Sequence, residues 1–165
     1  MSVEPAEVGV AMRYVETTIM GALENVAAFD GLAPDELEKL RAALSVAKFD
    51  DGERVFAQGD EGDAFYLITS GHCEVLRLDT RVGERGGEVC VGRLRQSDCF
   101  GERALLHNEP RAASIRAGPG CRLYCVFITR ADFERALGKP LEEFQRLKKT
   151  VGASAGGGKD LDVAS

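Results

Sequence analysis

Residues 100–114 read Phe100-Gly101-Glu102-Arg103-Ala104-Leu105-Leu106-His107-Asn108-Glu109-Pro110-Arg111-Ala112-Ala113-Ser114. A glycine opens the stretch, Glu102 to Leu106 favour a short helix, and Pro110 closes it. The first N–H groups of a helix have no internal acceptor, and the aligned peptide dipoles make that end partly positive, so it attracts a phosphate. Gly101 has no Cβ and lets an anion approach the backbone. Arg111, held behind a proline, can meet a phosphate with paired, charge-assisted hydrogen bonds. Glu102 is wrong for phosphate but right for a sugar hydroxyl, because a carboxylate only accepts hydrogen bonds. Together these residues predict a ligand with an anionic phosphate on one side and a free hydroxyl on the other. The plainer alternative for Glu102 and Arg111 is a mutual surface salt bridge, worth about 0–1 kcal/mol.

Upstream of this stretch the pattern changes twice. Residues 1–9 carry Pro5 and Gly9 without periodicity and are expected to be a flexible N-terminus. Val15, Ile19, Leu23 and Val26 recur at helical spacing and predict an amphipathic helix. Pro34 then starts a second helix to Leu44, with Leu37, Leu40 and Leu44 as its apolar stripe. From Asp50-Asp51-Gly52 short β-prone runs take over: Arg54 to Phe56, Phe65 to Thr69, Cys73 to Asp79, Val89 to Leu94, Ala113 to Ala117 and Cys121 to Phe127. Glycine-rich turns separate them, including turn glycines Gly59 and Gly71 and a hairpin tip at Gly83 to Gly87, as in a compact sandwich or jelly roll.

Downstream, Thr129 and Asp132 have the spacing of a capping box, and Gly138 suits the end of that helix. Pro140 starts a further helix with Leu141, Phe144, Leu147 and Val151 on one face. Residues 152–165 are rich in Gly, Ala and Ser and are expected to be a flexible tail or linker.

Composition narrows the function classes. Hydrophobic residues at 44% and charged residues at 29% are ordinary for a globular domain of 165 residues. No run approaches the ~20 apolar residues of a membrane span, so no membrane insertion is expected. The net charge of −6 speaks against a nucleic-acid partner. Against that acidity, Arg93, Arg95, Arg103, Arg111 and Arg116 predict a local positive field for one small anion. Five cysteines without paired spacing argue against a disulfide framework and for a reducing, cytoplasmic setting, with Cys121 and Cys125 as buried strand positions. His72 and His107 are far apart, no metal-ligand spacing or nucleophile elbow exists, and His107 is expected to face solvent at a helix end. The chain reads as a binder without catalytic residues, metal or cofactor.

The stretch FGERALLHNEPRAAS resembles the phosphate-binding cassette of cyclic nucleotide-binding domains, in particular those of the regulatory subunits of cAMP-dependent protein kinase. DGERVFAQGDEGDAFYLITSGHCEVL, VGRLRQSDC and ADFERALG extend the resemblance over roughly residues 10–150. It implies an α+β fold: an eight-stranded β jelly-roll barrel flanked by N-terminal and C-terminal helices, with a short phosphate-binding helix. The implied domain is 10–151, helical over 10–44, barrel over 50–128 and helical again over 129–151.

By the same resemblance, Gly101 and the N–H groups of the short helix, notably that of Ala104, contact a cyclic phosphate. Glu102 takes the ribose 2′-hydroxyl, Arg111 pairs with the phosphate oxygens, and Ala113 packs against the ligand. Related cGMP-dependent kinases typically carry a threonine at the position of Ala112, so its absence favours cAMP. Arg103 stands where cAMP-kinase cassettes have an apolar residue, and its GER context resembles some protist cGMP-dependent kinases, which keeps cGMP as the alternative ligand. A base-capping lid aligns with Val151. The implied partner is a kinase catalytic subunit or domain. No stretch resembles a pseudosubstrate segment and no helix-turn-helix follows, so one sensor domain of a larger assembly is expected. A third reading is an interaction module with a degenerate or nucleoside-binding pocket.

Overall fold

A computed structural model describes residues 4–7, 9, 32–82 and 86–143. Helix α1 (Pro34–Ala43) begins with proline at its first turn, where a missing N–H costs nothing, and carries Asp35 and Glu36 beside the positive end of its dipole. Leu37 and Leu40 are buried on one face, whereas Leu44 is the half-buried cap.

Eight strands follow: β1 (Ser45–Phe49), β2 (Arg54–Phe56), β3 (Ala64–Ser70), β4 (His72–Asp79), β5 (Gly87–Arg95), β6 (Cys99–Phe100), β7 (Ser114–Ala117) and β8 (Leu123–Thr129). Helix α2 (Glu102–His107) lies between β6 and β7, and α3 (Arg130–Leu137) follows β8. The strands form two four-stranded antiparallel sheets, ordered β1-β8-β3-β6 and β2-β7-β4-β5. The jelly-roll barrel implied by the resemblance is therefore a sandwich of two sheets, the other form that the strand runs allow. Two strands escaped the sequence pattern. β1 directly follows the helical stripe, so strand structure starts at Ser45 and not after Asp50; β6 has only two residues, too few to show alternation.

Burial explains the difference between the sheets. Between them pack Phe49, Ile68, Cys73, Val75, Phe100, Ala113, Ile115, Leu123 and Cys125. A second cluster joins the other face of the first sheet, through Phe65, Leu67, Val126 and Ile128, to Leu37, Leu40, Leu105, Phe133 and Leu141 on the helical side. β3 and β8 are thus covered on both faces and read as nearly continuous apolar runs, while β4 and β7 alternate. Each large side chain buried this way contributes roughly 1.5–3 kcal/mol.

Two ends are well defined. The Thr129 hydroxyl accepts the N–H of Asp132 at 3.2 Å, and Gly138 closes α3 at φ 67°. The expected Asp132 half of a capping box is absent, because that carboxylate takes Arg135 at 2.8 Å instead. Cys125 is a buried strand position as expected; Cys121 lies in the turn before β8 and is only half-buried. The helix expected around Val15–Val26, the end of the helix reaching Val151, the tip at Gly83–Arg85 and the tail at 152–165 lie outside the described residues.

Candidate functional site

Gly101 caps α2 at φ 87°, a left-handed conformation that side chains resist. A Cβ there would come within 2.5 Å of the Ala64 carbonyl oxygen and 2.8 Å of Arg111 Nη1. The first helical bond runs from Leu105 N–H to the Gly101 carbonyl at 3.2 Å, so the N–H groups of the first turn point out of the start of the helix. Asn108, at φ 53°, ends the helix by donating to the Ala104 carbonyl at 3.1 Å. His107 is exposed in the last turn, as expected.

Arg111 is held first by its backbone. Its N–H donates to the Asp60 carbonyl at 2.9 Å, and its carbonyl accepts the Gly59 N–H at 2.8 Å. Its side chain is only 4% exposed and turns back beneath α2. There Nη2 donates to the Ala64 carbonyl at 3.0 Å, and the guanidinium carbon lies 4.1 Å from the centre of the Phe56 ring. Gly62 makes room for it, since a Cβ on Gly62 would reach Nε at 2.5 Å. Nε and Nη1 are buried and have no acceptor among the described residues. Burial pulls this guanidinium below the usual arginine range, against the opposing field of Tyr66, Asp63 and Asp60. A buried cation with two idle donors is costly unless an anion meets it.

The predicted site residues divide accordingly. Gly101, the start of α2 and Arg111 converge, joined by the short approach at Gly101. Glu102 is half-buried at the first position of α2, and it makes no salt bridge with Arg111, so the surface-pair alternative is not what folds. Arg103 directs its charge to Glu109 at 3.2 Å. Ala104 is fully buried under the helix, and Ala112 is half-buried. Ala113 is fully buried among the residues between the two sheets. Val151 lies outside the described residues.

The expected cluster of five arginines also separates. Arg116 pairs with Glu74 at 3.1 Å, and Arg93 and Arg95 line a groove with His72, leaving Arg111 as the arginine beneath α2. Sequence reasoning missed the surroundings of Arg111. Phe56, Asp60, Gly62, Ala64 and Tyr66 belong to a stretch legible only as turn and strand. The signal was the paired glycines of Gly59-Asp60-Glu61-Gly62-Asp63, which crowd more backbone bends together than one tight turn needs.

Among the described residues no group of three or more His, Cys, Asp or Glu gathers to hold a metal, and no helix is long and apolar enough to cross a membrane. The cyclic nucleotide-binding domain family model matches residues 46–139. The cAMP-dependent protein kinase regulatory subunit of Mycosarcoma maydis is 38% identical over 119 residues, 70% of this chain but 22% of that protein. The regulatory domain of Toxoplasma gondii protein kinase A, crystallised with cAMP, superposes with a TM-score of 0.61 at 26% identity, covering 90% of this chain and 53% of that one. A triple mutant of the regulatory subunit of a cAMP-independent protein kinase A from Trypanosoma brucei, bound to cAMP in its A site, gives a TM-score of 0.59 at 29% identity, covering 86% of this chain and 50% of that one.

Proposed function

This chain belongs to the cyclic nucleotide-binding domain family, and we propose that it captures a cyclic purine nucleotide, cAMP in preference to cGMP, as a sensor domain of a cyclic-nucleotide-dependent protein kinase. The observation that carries the reading is Arg111: a buried guanidinium with two donors lacking acceptors among the described residues, next to the positive start of α2. A cyclic phosphate answers both, with N–H groups of Gly101 to Ala104 on one side and the arginine fork on the other. Glu102 receives the ribose 2′-hydroxyl.

The preference for cAMP has two supports. Ala112 offers no polar atom to guanine. The Trypanosoma brucei mutant with cAMP in its A site carries changes of Glu to Ala, Thr to Arg and Val to Ala, spaced seven and then one residue apart. Ala104, Arg111 and Ala112 have that spacing and those residue types.

Ligand capture at α2 has a route to the helices. Leu105 packs in one cluster with Leu37, Leu40 and Phe133, and its carbonyl accepts Arg130 Nη2 at 2.8 Å. A shift of α2 on binding is therefore felt by α3 and α1, the elements that would present or withdraw a surface for a kinase catalytic partner.

Calorimetric titration with cAMP, cGMP and adenosine tests the reading. The expected order is cAMP tightest and adenosine weakest. Tighter cGMP binding by ~10-fold, about 1.4 kcal/mol, overturns the choice of purine. Adenosine binding as tightly as cAMP removes the phosphate from the explanation and leaves a nucleoside-binding module.

A further inference from the structure

Beyond the end of β7, the turn at Gly118–Cys121 brings a thiol against an imidazole. His72, the first residue of β4, accepts the Gly118 N–H on its carbonyl at 2.9 Å. Its ring lies so close over Gly118 that any Cβ there would overlap it. Cys121 Sγ is 3.4 Å from His72 Nδ1 and 4.0 Å from Nε2, and 3.6 Å from the carbonyl oxygens of both His72 and Gly118. The thiol is held by several contacts and yet is only half-buried, unlike Cys73 and Cys125.

The same imidazole lines an open groove with Arg93, Leu94 and Arg95. The β4–β5 register sets His72 opposite Arg95 and Glu74 opposite Arg93. Glu74 is already engaged by Arg116 at 3.1 Å, so neither groove arginine has a carboxylate partner among the described residues. A nucleophile, a base in contact with it and two available cations are therefore assembled away from Arg111.

We propose that Cys121 is a modification site for small anionic disulfides, with His72 as its base and Arg93 and Arg95 as the carboxylate-binding pair. In the tautomer protonated at Nε2, Nδ1 of His72 takes the Cys121 proton as Sγ attacks one sulfur of the disulfide. The Cys121–sulfur bond forms while the reagent's own S–S bond breaks, and the departing thiolate recovers the proton from the imidazolium. Protein thiol and disulfide become mixed disulfide and free thiol. The reagent is the oxidant, and half of it leaves reduced.

Glutathione disulfide is the anionic probe and hydroxyethyl disulfide the neutral one, each applied to the full chain with acid quenching and peptide mapping. Cys90, exposed on β5 with its Sγ near the Gly92 carbonyl, is the internal reference. Cys121 is expected to acquire glutathione ~10-fold faster than Cys90, since the imidazole 3.4 Å from its sulfur can take the thiol proton as the sulfur attacks. With the neutral probe that ratio falls, and the surface variant Arg93→Gln/Arg95→Gln slows only the anionic probe. His72→Gln, checked for folding by its melt, slows both. Faster glutathione transfer to Cys90 than to Cys121 overturns the proposal; so does an anionic-probe rate unaffected by Arg93→Gln/Arg95→Gln.

Discussion

The guanidinium of Arg111 rests on the face of Phe56, 4.1 Å from the ring centre, and that ring tilts against Phe100 at 5.8 Å and Tyr66 at 6.1 Å between centroids. The arginine is aimed from inside the sandwich by an aromatic shelf, with Tyr66 and Phe100 stacked at 5.0 Å beneath it. Phe56→Leu keeps most of the apolar volume and removes the ring quadrupole. A cation–π contact of about 0.5–2 kcal/mol corresponds to a loss of cAMP affinity of roughly 2- to 30-fold. Phe56→Tyr should retain the affinity. Calorimetry on both variants separates the shelf from general packing, since a purely structural role would penalise the added hydroxyl as well.

Arg111→Ala should weaken cAMP binding by about 30-fold to several thousand-fold, the equivalent of 2–5 kcal/mol for truncating one partner of a hydrogen-bonded charge pair. The unliganded melting temperature should barely move. Losing the bond to Ala64 and the contact with Phe56 is offset by removing a buried charge that has two unpaired nitrogens. Melts without ligand and titrations with it check both halves, and parental affinity would sink the assignment.

Glu102→Gln should be milder for cAMP, roughly 5- to 13-fold, since a charged hydrogen bond of about 1.5–3 kcal/mol becomes a neutral one of about 0.5–1.5 kcal/mol. Its diagnostic effect is on selectivity. The parent should prefer cAMP over 2′-deoxy-cAMP, and the variant should bind the two almost alike. Competition titrations with the pair of ligands read this directly.

Four acids, Cys73 and Cys125 buried and Cys99 and Tyr66 half-buried, set an alkaline limit. Burial pushes the thiols of Cys73 and Cys99 up to about 12 from an ordinary 9.0, and raises Cys125 and the Tyr66 phenol as well. The folded chain keeps these protons after the unfolded chain has lost them. Their contribution is therefore complete below about pH 9 and declines as pH climbs toward 12. Denaturant midpoints should hold steady near neutrality and fall above pH 9, and Cys73→Val should flatten that fall.

The cassette was legible because its constraints are local: a glycine, a six-residue helix and an arginine behind a proline lie within one short stretch. The ends of α3 were legible for the same reason, with Thr129 as cap and Gly138 as stop. What surrounds Arg111 depends on strand pairing. Ala64 meets it because β3 passes beneath Gly101, and Phe56 because β2 pairs with β7, and no local pattern encodes either. An arginine in an acidic, polar stretch reads as a surface residue, yet tertiary packing buries it. The strand runs leave sandwich and jelly-roll barrel open, because they reveal alternation without revealing which edges meet.

β3 and β8 belong to both hydrophobic clusters, one toward the helices and one toward the second sheet. Neither cluster can dissolve while the other stays intact on those strands, so the two layers of core share one cooperative unit. Amide protons of Leu67, Ile68, Val126 and Ile128 are then released to solvent deuterium only through global opening, whereas β5, at the sheet edge with Val89 to Val91 exposed, exchanges through local fraying. A binding event that stiffens α2 lengthens the exchange times of the helical layer first, and reaches the second sheet only through those two central strands.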